Sequence, residues 1–332
     1  MKVLLTKRFF KSDLEYIKKR VPDSIIFLNE DFVKDELINL AKEADVFFGG
    51  LIDKDLVVAA ENLKFIQIPW NGVDNLDWEL IESLDITLCN SHSNAFVVAE
   101  HAVALLFDAL KKISHHDRLM REGNWNRIFP GVVNDVSPFS SSLREKRIGI
   151  LGFGSIGKSI YRMLGGFECD FKVFNRTGFL DEFYTDLTSY PMTDLNLEVT
   201  DLDVLFIALP LTAETNSLID QDCFNSMPEN LVLVNISRGA IVNEEALYNS
   251  LKSKIIGWAA IDTWYSYPNV ENPIKPPSIN FPFESLQNIT MSPHRAGYID
   301  SGFPHLDDAI ENLNRSLKEE GLINVISVKN KY

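Results

Sequence analysis

The sequence predicts an α/β protein with two doubly wound parallel-sheet domains, and three observations carry that prediction. The chain has 332 residues, more than one core of ordinary size accommodates. Short β-branched or aromatic runs alternate with amphipathic stretches from the first residues on, a βα pattern whose strands pair in parallel. The alternation lapses before mid-chain and restarts at Arg147, just ahead of a glycine-rich turn.

In order, Lys2–Leu5 reads as the first strand. Ser12-Asp13-Leu14-Glu15 reads as a capping box at a helix start, the hydroxyl and the carboxylate each meeting an orphan N–H. Strands are expected at Ser24–Leu28, Asp45–Phe48, Leu63–Ile68 and Ile86–Cys89, with helical stretches such as Asp31–Ala44 and Lys54–Glu61 between them. One long helical pattern runs from Asn94 to about Leu119, apolar at Val97, Val98, Ala102, Leu105, Leu106 and Leu110. Its length suits a link between two domains. Asn124–Ser142 loses periodicity and collects Gly, Pro, Asn and Ser, as a connector against a partner subunit would. Further strands are expected near Arg147–Leu151, Phe171–Phe174, Val204–Ala208, Leu231–Asn235, Ile256–Ile261 and Ile289–Met291. The proline-rich Pro268–Pro282 is a surface loop and Asp307–Glu320 a closing amphipathic helix.

Hydrophobic residues make up 45% and charged residues 24% of the chain, the balance of a soluble globular protein. A formal net charge of −15 argues against nucleic acid or an anionic membrane surface as partner. Cys89, Cys169 and Cys223 stand far apart without metal-ligand spacing, so they read as reduced thiols and no metal is expected. Met1 runs directly into strand-like sequence rather than a leader, and no apolar run approaches the length of a membrane span. A cytoplasmic location is the expectation.

G-x-G-x-x-G stands at Gly152, Gly154 and Gly157, between a strand and a helix. In that context the first glycine permits a tight turn, the second admits a pyrophosphate and the third lets helix and strand pack closely. The helix start at Ser155 and Ile156 then offers free N–H groups and a dipole to the phosphates. The acidic residue that would bind an NAD ribose is replaced, at the end of the next strand, by Asn175, Arg176 and Thr177. An amide, a guanidinium and a hydroxyl suit a 2′-phosphate, so NADP(H) is favoured over NAD(H).

Five ordered segments, N-A-F-V-V-A-E-H-A (Asn94–Ala102), the glycine loop, P-L-T-A-E-T-N-S-L-I (Pro210–Ile219), V-N-I-S-R-G-A-I-V-N-E-E-A-L (Val234–Leu247) and S-P-H-R-A-G (Ser292–Gly297), resemble the D-isomer-specific 2-hydroxyacid dehydrogenase family over nearly the whole chain. The resemblance implies two Rossmann-like domains: a split substrate domain at 1–96 and 299–332, and a central dinucleotide-binding domain at 97–298. It also implies a homodimer, an active site in a cleft and a small 2-keto or 2-hydroxy acid as substrate. Arg238 matches the family's substrate-binding arginine; a guanidinium there can clamp a carboxylate and polarise the carbonyl. His294 matches the general acid/base, a role suited to a side chain that titrates near neutrality. Trp70, Asn71 and Gly72 lie in W-N-G-V-D-N, which resembles the loop whose amides hold the substrate carboxylate. The resemblance places Val98, Leu209, Pro210, Thr215, Ile236 and Asp262 along the cofactor.

At one position the carry-over fails. The family's glutamate, which supports the histidine, is replaced by Tyr267 before Pro268. Two other readings compete with Tyr267 as the replacement: a carboxylate such as Glu271 or Glu284 swings in, or no strong proton donor is needed, the chain being then either an enzyme without one or a nicotinamide-dependent binding or regulatory protein. The leading expectation is that the Tyr267 hydroxyl orients His294. Among the other histidines, His92 stands at the expected domain crossover, His101 packs or bonds within the long helix, His115 and His116 are exposed, and His305 opens the last helix without a role.

Overall fold

The computed structural model describes residues 1–84, 86–125, 140–185, 187–269, 271–300 and 302–329. They divide into two compact units, Met1–Asn94 with Tyr298–Tyr332, and Ala95–Gly297. Strands in both are parallel throughout.

The first unit holds β1 (Lys2–Leu5), β2 (Ile26–Leu28), β3 (Val46–Phe48), β4 (Phe65–Gln67) and β5 (Thr87–Cys89), in the order β2-β1-β3-β4-β5. Alternate side chains supply both of its faces. Val3, Leu5, Phe48 and Phe65 meet Ile17 and, from the Asp307–Leu317 helix, Ala309, Ile310 and Leu313. Leu4, Phe47, Ile66 and Leu88 meet Leu37, Ala41, Leu56 and Ile81. A sheet buried on both faces needs unbroken apolar strands, which is why these read as runs rather than as alternations. The last helix is keyed to the sheet by buried Asn312, whose amide donates to Gln67 Oε1 at 2.8 Å and accepts from the Ile323 N–H at 2.8 Å.

The second unit holds β6 (Arg147–Leu151), β7 (Asp170–Asn175), β8 (Thr188–Pro191), β9 (Val204–Ile207), β10 (Val232–Asn235), β11 (Trp258–Ile261) and β12 (Ile289–Met291), in the order β12-β11-β10-β9-β6-β7-β8. From β6 the chain winds outward to β8, then returns to β9 on the other side of β6. That reversal makes the β6/β9 junction a topological switch point, where ligands of open α/β sheets bind. Asn235, Ile261 and Met291 are in register, so Ile236, Asp262 and Ser292 leave the sheet at one level.

Three expectations are corrected. The first helix starts at Lys11, before the Ser12–Glu15 box, because Asp13 accepts the Phe10 N–H at 3.2 Å and caps it two residues earlier. The long helix is two, Ala95–Lys111 and Ile113–Arg121, divided at Lys112 with φ +57°. There Asp108 takes both the N–H and the hydroxyl of Ser114, at 2.7 and 2.8 Å, and so starts the second helix. Edge strand β8 was not expected; it is short and ends on Pro191, as an edge position allows. The connector expected over 124–142 falls mostly on residues 126–139, outside the described residues. Among the described residues no helix is long and apolar enough to cross a membrane.

Candidate active site

The turn after β6 fits a dinucleotide by what its glycines leave out. Gly152 has φ +97°, and a Cβ there would stand 2.5 Å from the Ala208 carbonyl oxygen, just past β9. A Cβ on Gly157 would stand 2.2 Å from the Gly152 carbonyl oxygen, so helix and strand pack at glycine distance. Gly154 differs: it is exposed and its Cβ would meet nothing within 4 Å. It is the residue before the Ser155–Leu164 helix, whose start has no side-chain cap. The first-turn N–H groups, those of Ser155 and Ile156 included, thus face room rather than protein, as phosphate binding requires.

Past β7, Asn175 is occupied locally. Its Oδ1 accepts the N–H groups of Thr177 and Gly178 at 3.0 and 2.7 Å, and its Nδ2 donates to the Phe179 carbonyl at 2.7 Å. It shapes a loop on which Arg176 and Thr177 are exposed. Past β9, buried Thr215 donates to the Pro210 carbonyl at 2.7 Å and accepts the Thr212 N–H at 2.8 Å, which fixes the turn carrying Leu209 and Pro210. Val98 and Ile236 are buried in the core against this sheet.

At the other end of the sheet, Asp262 governs the turn that carries His294. Its fully buried carboxylate accepts the Ser292 hydroxyl at 2.5 Å, the Arg295 N–H at 2.9 Å and the Ala296 N–H at 3.1 Å. His294, between these donors, takes φ +56°, a left-handed conformation uncommon for a residue with a side chain. Ser292 spends its proton on Asp262 and is left to accept from His101 Nε2 at 3.0 Å; that nitrogen is also 3.4 Å from Asp262 Oδ1. Burial alone would raise the Asp262 pKa. The hydrogen bonds from His101, Ser292, Arg295 and Ala296 outweigh it and bring the group down to about 2. His101 therefore bonds across to the β12 turn rather than within its own helix.

Arg238 lies three residues past β10 in a turn held from both sides. Asn235 accepts the Ser237 N–H and donates to the Arg238 carbonyl, both at 3.0 Å, and the Ser237 hydroxyl donates to the Ile207 carbonyl at 3.0 Å. The half-buried guanidinium donates to the Ser237 carbonyl at 2.7 Å. Gly239 next to it is required, since a Cβ would stand 2.6 Å from the backbone of Trp264. Trp264 then reaches onward: its indole N–H donates to the Ser292 carbonyl at 2.8 Å, and its backbone N–H donates to the Tyr267 hydroxyl at 3.0 Å. The Tyr267 ring lies against the His294 imidazole, centroids 5.4 Å apart and planes at 54°. One connected set of contacts thus joins the arginine turn, the aromatic loop and the histidine turn. Glu271 and Glu284 are exposed.

In the first unit the loop past β4 has its carbonyls tied and its amides open. The Trp70 carbonyl accepts the Ser91 N–H at 3.2 Å and the Asn71 carbonyl accepts Asn90 Nδ2 at 2.8 Å. The N–H groups of Asn71 and Gly72 donate to nothing among the described residues, which leaves two consecutive backbone donors of the loop open. His92 ties its N–H to Asp308 at 2.7 Å, and His305 is kept towards its neutral form by burial. His115, expected exposed, is buried edge-on to Trp258. Among the described residues no cluster of three or more His, Cys, Asp or Glu side chains is arranged for a metal.

The pairing of His101 with Ser292 was not expected, since the sequence reads His101 as packing or bonding within the long helix. Both sit inside the motifs quoted above, but their pairing spans 191 positions and only the fold brings it about.

Residues 103–296 match the family described as D-isomer specific 2-hydroxyacid dehydrogenase, NAD binding domain. The D-3-phosphoglycerate dehydrogenase of Archaeoglobus fulgidus is 26% identical over 99% of this chain and 60% of its own. The chain thus spans well under the full length of that relative. Glyoxylate reductase of Aeropyrum pernix is 29% identical over 89% of this chain and 86% of its own. Among solved structures, the NADPH-dependent glyoxylate/hydroxypyruvate reductase of Sinorhizobium meliloti in complex with NADP and malonate aligns with a TM-score of 0.76, over 98% of this chain and 97% of that one. At 22% identity that is a likeness of fold.

Proposed function

This chain belongs to the D-isomer specific 2-hydroxyacid dehydrogenase family, and from that premise we propose that it is an NAD(P)-dependent oxidoreductase of a small 2-oxo/2-hydroxy acid, of the glyoxylate or hydroxypyruvate kind named for its relatives. The observation that carries the reading is the Asp262-anchored turn, which holds His294 in a left-handed conformation beside an arginine turn of the same sheet edge.

The reduced nicotinamide supplies the hydride when bound. The roles of the chain's own groups follow from their chemistry. Arg238 binds the substrate carboxylate and draws charge towards the carbonyl oxygen. In the first unit, the open Asn71 and Gly72 amides suit a carboxylate. His294 in its protonated form gives a proton to the oxygen of the nascent alcohol and takes one back in the reverse direction. Asp262 holds His294 in place; the cofactor contact that family resemblance implies is the competing role for this carboxylate. Tyr267 positions the imidazole by ring contact, its hydroxyl held by Trp264.

The exposed Arg176–Thr177 loop supports NADP(H) over NAD(H), Arg176 meeting the 2′-phosphate while Asn175 shapes the loop. Pairing into homodimers belongs to the same proposal.

A second reading, a nicotinamide-dependent binding or regulatory protein, is favoured by one feature. Tyr267 brings no carboxylate to the imidazole at the position where the family has one. Loss of reduced-nicotinamide absorbance across a panel of 2-oxo acids separates the two. Turnover that disappears in His294→Asn supports the enzyme; tight NADPH binding with no turnover on any acid supports the sensor.

A further inference from the structure

The carboxy edge of the first sheet carries a cation that the chemistry above does not use. Lys7 stands two residues past β1, and its Nζ lies 4.5 Å from the centroid of the Trp70 ring and 5.2 Å from that of Phe9. Trp70 precedes Asn71 and Gly72, whose amides are open. Ring faces attract an ammonium, but they accept none of its hydrogen bonds well. Among the described residues Lys7 Nζ has no hydrogen-bond or ion-pair partner.

The arrangement is set by the backbone around it. Gly49, past β3, has φ +143°, and a Cβ there would stand 2.5 Å from Thr6 Oγ1 and 3.2 Å from Lys7 Cγ. A Cβ on Gly50 would stand 2.6 Å from Trp70 Cζ2. The lysine stem and the indole therefore occupy space that two consecutive glycines leave.

Nearby charge does not neutralise the ammonium. Asp13 acts on it electrostatically but is buried and already accepts the Phe10 N–H. Burial lowers the Lys7 pKa more than Asp13 raises it. His305 is also within electrostatic reach and is held towards neutrality by burial, while Arg8 next in sequence is exposed. A half-buried lysine with three unmet donors is matched by an anion brought from outside.

We propose that Lys7 receives a second anionic group of the substrate, so that the chain acts on 2-oxo acids bearing a carboxylate or phosphate at the end remote from the keto acid. This rests on the reading that the Asn71 and Gly72 amides receive the first carboxylate. A monoanion such as glyoxylate leaves the ammonium with water alone; a dianion meets it and adds a charge-assisted hydrogen bond.

The test compares glyoxylate, oxaloacetate and phosphohydroxypyruvate with NADPH, for the full chain and for Lys7→Met and Lys7→Arg. Methionine keeps the stem over Trp70 and removes the charge. The expected result is that one dianion is preferred, and that Lys7→Met lowers the ratio of its kcat/KM to that of glyoxylate by about tenfold or more, through KM, with Lys7→Arg restoring most of it. Preference for oxaloacetate assigns a carboxylate, and preference for phosphohydroxypyruvate a phosphate. An unchanged ratio overturns the inference, because Lys7 then serves either the first carboxylate or Trp70 alone. If no acid is reduced, the proposed function fails, and calorimetric binding of malonate against acetate in the NADPH complex still decides the point. Malonate binding weakened about tenfold in Lys7→Met, with acetate little affected, supports the subsite; equal binding by both proteins overturns it.

Discussion

Asp262 accepts the hydroxyl of Ser292 at 2.5 Å, and through this bond and two from the next turn it holds both ends of the segment that carries His294. The carboxylate is fully buried, so its oxygens are surrounded by donors of the chain itself. Asp262→Asn replaces one acceptor oxygen by a donor facing donors. We expect kcat to fall about a hundredfold or more, with stability lowered by about 2–4 kcal/mol. NADPH affinity should change much less. If instead affinity for NADPH collapses while kcat survives, Asp262 acts on the cofactor rather than on the turn.

The same carboxylate predicts an acid limb. Its pKa is lowered in the fold from 3.8 to about 2, so its stabilisation is complete above the unfolded value and is lost as pH falls through the folded one. Between about pH 4 and pH 2 the wild type should lose about 2 kcal/mol on this account. Denaturant unfolding across that range should show a shallower slope in Asp262→Asn. Identical slopes would mean that the group is not held ionised by the fold.

Two glycines of one motif should fail in different ways. Gly157→Ala puts a Cβ 2.2 Å from the Gly152 carbonyl oxygen and should destabilise the second unit by about 1–3 kcal/mol. Gly154→Ala meets no protein atom, so melting without cofactor should match wild type while NADPH binding weakens. Equal loss of stability in both variants would remove Gly154 from the cofactor surface.

Arg176→Ala should reduce the preference for NADPH over NADH by about tenfold, measured as the ratio of the two kcat/KM values. An unchanged ratio leaves Arg176 as a loop charge.

Tyr267→Phe removes the acceptor of the Trp264 N–H but keeps the ring beside His294. If the ring does the positioning, the pH–rate profile of reduction keeps its shape and kcat falls less than tenfold. A profile displaced along the pH axis would assign the hydroxyl to His294, as the sequence led one to expect.

Legibility in the sequence followed the range of the forces involved. The strands Lys2–Leu5, Arg147–Leu151 and Ile289–Met291 end where the apolar runs end, because burial on both faces writes itself into local composition. The glycine turn was partly local: the clash of a Gly157 Cβ with the Gly152 carbonyl follows from strand, turn and helix in succession, whereas that of a Gly152 Cβ with Ala208 needs β9 beside β6. The break at Lys112 was hidden because neither glycine nor proline marks it; a carboxylate four positions earlier caps the next helix. Asp13 displaced the Ser12–Glu15 box for a similar reason. The pairing of His101 with Ser292 depends on β11 and β12 ending at one level, and the seat of Lys7 on Trp70 depends on β1 lying two strands from β4. Neither follows from any window of sequence.

The proposed chemistry turns on hydride transfer to a 2-oxo acid with His294 completing the reaction. It is tested most directly with NADPH deuterated at the transferring position, by mass spectrometry of the product acid. Deuterium is expected at the former keto carbon with wild type, and none above background with Arg238→Met or His294→Asn. Tight NADPH binding with no deuterium in any product acid, across monoanionic and dianionic substrates alike, would contradict it.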